Sequence, residues 1–187
     1  MSNRRAVFRS ASLLLGSRVG SQALALARNV FVARILTPED YGLAATFWIT
    51  ITLLATITEF GFKQRLIQAE DGDDDRVGGV AQSLYLLRGI VIGAILLIAA
   101  GPVARLFDAV EATWAFQLLA IFPVISGFTH RDLERLKRKL NFKPAVATKL
   151  LPEAVVTIAA VPIALATRDF STFLYIGLIK RLLTVLV

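Results

Sequence analysis

Cysteine is absent from this chain and histidine occurs once, as His130. Without a thiol there is no disulfide framework, thiolate metal site or cysteine nucleophile. One histidine removes His-rich zinc centres and most Ser-His-Asp chemistry. No phosphate-binding glycine loop is present either, so an enzyme is the least expected class, and neither cofactor nor metal is expected. Charge is scarce as well: 19% of residues are Asp, Glu, Lys or Arg, against about 25% in ordinary globular domains. What fills the space is apolar, at 56% of 187 residues. That excess points to a polytopic membrane protein.

A bilayer core about 30 Å thick needs roughly 17–25 predominantly apolar residues per helix. Six such stretches lie between charge clusters, over residues 11–33, 41–58, 81–103, 112–128, 152–167 and 170–187. The first holds Arg18 and Arg28 and has no small-residue cleavage site after it, so it reads as a retained helix and not a signal peptide. Local chemistry suggests several boundaries. Thr37-Pro38-Glu39-Asp40 offers a cap residue, a proline at a first helical position and acids at a helix N-terminus. Pro152-Glu153 carries the same signal for the fifth helix, and Arg168-Asp169 reads as a tight turn into the sixth. Pro123 and Pro162, inside the fourth and fifth stretches, predict kinks.

The 21 basic residues set an orientation, because Lys and Arg accumulate on the cytoplasmic side. Arg4, Arg5 and Arg9 precede the first helix, and Lys63, Arg65 and Arg76 lie in the second loop. The fourth loop carries Arg131, Arg135, Lys137, Arg138, Lys139, Lys143 and Lys149. Arg34, Arg105 and Arg168 are all that the alternate loops hold. This alternation predicts six crossings with both termini cytoplasmic, and it accounts for the net charge of +7 without a nucleic-acid partner. A reporter fused after Gly72 or Lys139 is expected to read as cytoplasmic and one after Asp108 as external. An external reading at Gly72 reverses the orientation.

Two loops resemble functional elements. Glu70-Asp71-Gly72-Asp73-Asp74-Asp75 lacks the ligand order of a calcium-binding loop, and no soluble nucleotide-binding domain accompanies it, so it reads as a solvated loop. Residues 129–149 place Leu133, Leu136 and Leu140 at helical spacing among basic side chains, the pattern of an interfacial amphipathic helix that anchors topology or attracts anionic groups.

The first helix carries the most informative charges. At 100° per residue Arg18, Gln22 and Asn29 fall within about 40° of one another, and Ser21 and Arg28 lie within about another 80°. Each arginine at mid-bilayer costs roughly 2.5–3.5 kcal/mol facing lipid, so Arg18, Arg28 and Arg88 are expected to face a wet interior. The guanidinium fork suits a phosphate. Substrate contact is therefore expected at Arg18, Gln22, Arg28 and Arg88, with pairing to Glu59, backbone carbonyls or head groups as the structural alternative for the arginines. The acids near the spans, Glu59 and Glu153, are candidates for ion coupling or for structural pairing. Gly89 and Gly93 form a G-x-x-x-G step that allows close helix contact.

Ala33-Arg34-Ile35-Leu36-Thr37-Pro38-Glu39-Asp40-Tyr41-Gly42 resembles the signature after the first helix of bacterial polysaccharide flippases of the MOP exporter superfamily. Glu59-Phe60-Gly61-Phe62 with Leu66-Ile67-Gln68 is similar to their segment after helix two, and Gln82-Ser83 with Leu87-Arg88-Gly89 to the start of helix three. Gly127-Phe128-Thr129-His130-Arg131-Asp132, with Arg135, Arg138 and Asn141-Phe142-Lys143-Pro144, is similar to the motif before helix five. The resemblance implies an all-α membrane protein, its six transmembrane helices forming one lobe of a MOP/MATE-like bundle in the bacterial inner membrane. Two such lobes enclose a basic cavity and open alternately to either side. The implied substrate is an oligosaccharide on a polyprenyl diphosphate, flipped for exopolysaccharide or lipopolysaccharide biosynthesis with ion coupling.

Family members have twelve or more helices, so this chain is expected to be the N-terminal half, truncated at its C-terminus. Lys180 and Arg181 interrupt the sixth stretch, so either the last segment is divergent or the coding sequence is broken near its end. The bilayer, the lipid-linked oligosaccharide and either a C-terminal half or a second copy are the expected partners. Two competing readings are an inactive or scaffolding remnant and a multidrug exporter of the same superfamily. The positive interior charge disfavours the exporter.

Overall fold

The computed structural model describes residues 2–58, 75–128 and 143–186. Among them the chain forms α1 (Ser2–Ala33), α2 (Pro38–Thr58), α3 (Asp75–Leu106), a 3-10 turn (Val110–Ala112), α4 (Thr113–Leu118), α5 (Ile121–Gly127), α6 (Lys143–Thr167) and α7 (Ser171–Leu186). No strand occurs among the described residues. Three stretches, Gln82–Leu106, Val110–Gly127 and Val146–Thr167, are long and apolar enough to cross a membrane. The described residues of the six expected stretches are largely helical, but among the described residues only these three qualify as spans by length and composition. At 16 residues, α7 is short for an untilted crossing.

The start of α2 follows its local chemistry. Thr37 Oγ1 accepts the Asp40 N–H at 3.3 Å, while Asp40 Oδ2 accepts the Thr37 N–H at 3.1 Å, a reciprocal cap that satisfies two donors. Asp40 Oδ1 also accepts the Phe170 N–H at 2.9 Å, which ties this cap to the turn between α6 and α7. In that turn Arg168 takes a left-handed φ of 54°, and Asp169 Oδ1 accepts the Ser171 N–H at 2.8 Å to start α7. The end of α3 uses the same device. Asp108 sits at φ 53°, the Ala109 N–H reaches the Ala104 carbonyl at 2.8 Å, and the Asp108 N–H reaches Arg105 at 3.2 Å, a Schellman closure.

Several boundaries differ from expectation: α1, α2 and α3 start at Ser2, Pro38 and Asp75, ahead of the expected 11, 41 and 81, because their polar first turns continue the helix beyond the apolar run. The fifth expected helix does not begin at Pro152. It begins at Lys143, with Pro144 in the first turn, where a missing N–H costs nothing, so Pro152 and Pro162 both lie inside α6. The stretch 112–128 is not one helix. Pro123 has no N–H for the Leu119 carbonyl, which accepts Phe122 N–H at 3.1 Å instead, and the chain breaks into α4 and α5 at residues 119–120. The last helix, α7, runs through Lys180 and Arg181 without interruption. The reason is packing: both charges point inward to polar partners.

Phe47, Phe116 and Phe122 lie in one buried cluster with Leu119 and Leu174, and Phe47 meets Phe116 edge-on at 4.8 Å. A second cluster joins Val32 of α1 to Val156, Ala160 and Ala164 of α6 and Ile176 of α7. Outside, large apolar side chains are bare, with Ile98 at 80% and Ile158 at 78% exposure. Water would not tolerate so extensive an apolar exterior, whereas hydrocarbon does. The contacts Gly89–Pro123 and Gly93–Ala120 set α3 and α5 antiparallel, while Gly177–Phe122 and Arg181–Ser126 set α5 and α7 parallel.

Candidate functional site

A cleft of about 540 Å3 opens between α1, α6 and α7, lined by Ser21 and Gln22 of α1, Lys149 and Glu153 of α6, and Lys180 and Thr184 of α7. Its centre is Glu153, only 3% exposed. One carboxylate oxygen, Oε1, accepts Arg28 Nη1 at 2.6 Å, and the other, Oε2, accepts Lys180 Nζ at 2.5 Å. One acid thus joins three helices. Sequestering a carboxylate from water is costly, and two charge-assisted bonds offset that cost. The Arg28 side chain is 15% exposed and that of Lys180 is 44% exposed, so the lysine is the partner that reaches the open cleft. With Arg28, Lys149 and Lys180 around a single carboxylate, the region carries net positive charge and suits an anion.

The helix-one stripe divides on folding. Ser17 and Ser21 are buried, Arg28 turns to α6 and Gln22 lines the cleft. Arg18 and Asn29 are exposed, and Arg18 lines neither this cleft nor the next. Arg88 is in a different place altogether. It lines a smaller cleft of about 190 Å3 together with Arg181, Tyr85, Ser126 and the apolar side chains of Ile92 and Leu96. Arg181 Nη1 donates to Ser126 Oγ, and its guanidinium carbon lies 5.8 Å from the centre of the Phe122 ring. Adjacent residues of α7 therefore serve two clefts, Lys180 one and Arg181 the other, because consecutive helical side chains diverge by about 100°.

Glu59, the acidic loop up to Asp74 and the amphipathic segment from Thr129 to Phe142 lie outside the described residues; Lys143 to Lys149 form the opening turns of α6. Glu153 is no dipole partner at a helix start. It sits inside α6 and serves as an ionic hub. Sequence reasoning missed Lys149, counted as loop charge, and Lys180 and Arg181, read as an interruption. The available signal was the cost of an intramembrane cation, which applies to positions 180 and 181 as much as to 18 and 28.

An all-helical bundle with an apolar exterior, three stretches of membrane-crossing length and a cation-lined cleft defines a helical membrane protein. The chain belongs to the polysaccharide biosynthesis protein family, whose model matches residues 31–187. It is similar to the succinoglycan biosynthesis transport protein ExoT of Rhizobium meliloti (strain 1021), at 24% identity over 163 residues, covering 87% of this chain and 33% of that protein. The chain thus spans about a third of that relative's length. No solved structure matches.

Proposed function

We propose that the chain forms one wall of a transporter that moves a polyprenyl-diphosphate-linked oligosaccharide across the bacterial inner membrane, with six crossings and both termini cytoplasmic. The observation that carries this reading is the cleft between α1, α6 and α7, where Lys149 and Lys180 line a space large enough for a charged head group. Family membership and similarity to a succinoglycan transport protein support an export role. In this reading Lys149 and Lys180 hold diphosphate oxygens, Gln22 donates to a phosphate or sugar oxygen, and Arg28 acts through Glu153. Glu153 is the carboxylate proposed for ion coupling. The opposing wall comes from a second helical body, either a C-terminal half or a second copy of this chain.

Lys149 gives the cleanest test, since it lines the cleft without bonding to Glu153. Lys149→Gln, introduced at the chromosomal locus, is expected to lower surface polysaccharide at least about ten-fold, the loss of one charge-assisted hydrogen bond. Lys149→Arg retains most export, and membrane abundance is unchanged in both variants. Full export by Lys149→Gln at normal abundance would rule out a diphosphate held at this position.

A further inference from the structure

We infer that Lys180 changes partners when the larger cleft fills, leaving Glu153 for a phosphate of the bound head group, and that this exchange releases the inner half of α7 from α6. The inference rests on the head-group site proposed above and adds what binding does to the bundle. Glu153 divides its two oxygens between two cations of different kinds, with Arg28 Nη1 2.6 Å from Oε1 and Lys180 Nζ 2.5 Å from Oε2. The Arg28 side chain is nearly enclosed, so breaking its pair would leave a buried charge uncompensated. Lys180 is half-exposed and lines the cleft with Lys149, and an ion pair whose cation already meets water costs little to break. Lysine is also the side chain suited to exchange, a point charge on a flexible stem whose three donors need no fixed fork. When Lys180 leaves, Arg28 still neutralises Glu153, so the head group gains a cation without stranding the acid.

The packing of α7 determines what the exchange moves. Its first turns are fixed, since Ser171, Thr172, Leu174, Ile176 and Gly177 are buried. The Thr167 and Thr172 hydroxyls meet at 2.6 Å, and the Phe170 N–H just before the helix reaches Asp40 Oδ1 at 2.9 Å. At Gly177 a Cβ would lie 2.8 Å from the Phe122 ring, so the helix is seated on α5 there. Beyond that point the burial falls away, to 44% exposure at Leu182 and 79% at Leu186. Residues 178–186 are thus an arm on a packed base, with an ionic link to α6 through Lys180 and a link to α5 through Arg181, which donates to Ser126 Oγ. Lys180 and Thr184, four residues apart on one face of the arm, both line the cleft. Capture of Lys180 by an anion removes the α6 link and keeps the α5 link. In the proposed topology the arm lies at the cytoplasmic end, where the substrate enters.

The test places spin labels on the full chain, which has no cysteine of its own, at Leu151→Cys on α6 and Leu186→Cys at the end of the arm, both exposed positions. Their separation is read in lipid nanodiscs by pulsed electron paramagnetic resonance. Farnesyl diphosphate is the probe, farnesol is its uncharged control, and radiolabelled farnesyl diphosphate gives the affinity. Saturating farnesyl diphosphate is expected to move the separation of the labels at 151 and 186 to longer values. A pair at Leu26→Cys and Ile158→Cys, across the link between α1 and α6, is expected to stay unchanged. Lys180→Met is expected to show the released separation with or without the probe, and to bind it about ten-fold more weakly. An unchanged separation in a chain that binds the probe overturns the exchange and leaves the head-group site standing. An equal shift with farnesol, or a probe-dependent shift that persists in Lys180→Met, also overturns it, because the movement then does not run through this lysine. Absence of probe binding, or binding that Lys149→Gln leaves unchanged, removes the head-group site and the exchange with it.

Discussion

Glu153→Leu is expected to destabilise the helical bundle by about 3–5 kcal/mol, because it leaves Arg28 and Lys180 without the carboxylate that compensates them. Arg28 accounts for most of the loss. Its side chain is 15% exposed, whereas that of Lys180 is 44% exposed and partly screened by water. The measurement is thermal or denaturant unfolding in detergent, read by helical circular dichroism. The triple variant Arg28→Met, Glu153→Leu, Lys180→Met is expected to recover most of the stability, since a whole ionic group replaced by apolar side chains of similar volume is near neutral. That recovered chain should still fail to export polysaccharide, which separates the fold's need for the ionic group from the cleft's need for its charge. A Glu153→Leu variant as stable as the parent would mean that the ionic group does not hold α1, α6 and α7 together.

Alanine at Gly89 or Gly93 is expected to cost about 1–3 kcal/mol each, and leucine more, through overpacking against a rigid neighbour. A Cβ at Gly89 would lie 2.5 Å from the Pro123 carbonyl oxygen, and one at Gly93 would lie 2.8 Å from that of Ala120. Both obstacles are backbone, so relief requires α3 and α5 to separate. That separation also alters the smaller cleft, since Gly89 and Pro123 line it. Gly101 is the internal control. It lies in the same helix with nothing within 4 Å of its Cβ position, and Gly101→Ala is expected to be neutral or stabilising by up to about 1 kcal/mol. Equal losses at positions 89, 93 and 101 would show that helix propensity, and not close packing, governs this pair.

The G-x-x-x-G step shows how far a motif carries an argument. The spacing puts two small residues on one face of α3, but such pairs recur by chance in apolar helices. Only the approach of the backbone at Ala120 and Pro123 to that face, after the break at residues 119–120, turned the pattern into a contact.

What the amino-acid sequence determined by itself was local or compositional. Membrane class followed from apolar content, and the start of α2 from Thr37, Pro38 and Asp40, whose hydrogen bonds span three residues. Helical character at the expected stretches followed from long runs of apolar residues, and family resemblance from short ordered motifs. Tertiary structure alone decided the partners. Glu153 and Arg28 are separated by 125 positions, and no local preference encodes which of several cations a buried acid will meet. The pairing depends on how α1 packs along α6, which the small residues Ala160 and Ala164 and the position of Gly20 against Leu150 permit. The same packing separated Arg88 from Arg28, and it turned the adjacent Lys180 and Arg181 toward different clefts. Charge type is written in the sequence, but the cavity a charge enters is set by helix crossing and rotation, which arise from many weak contacts acting together.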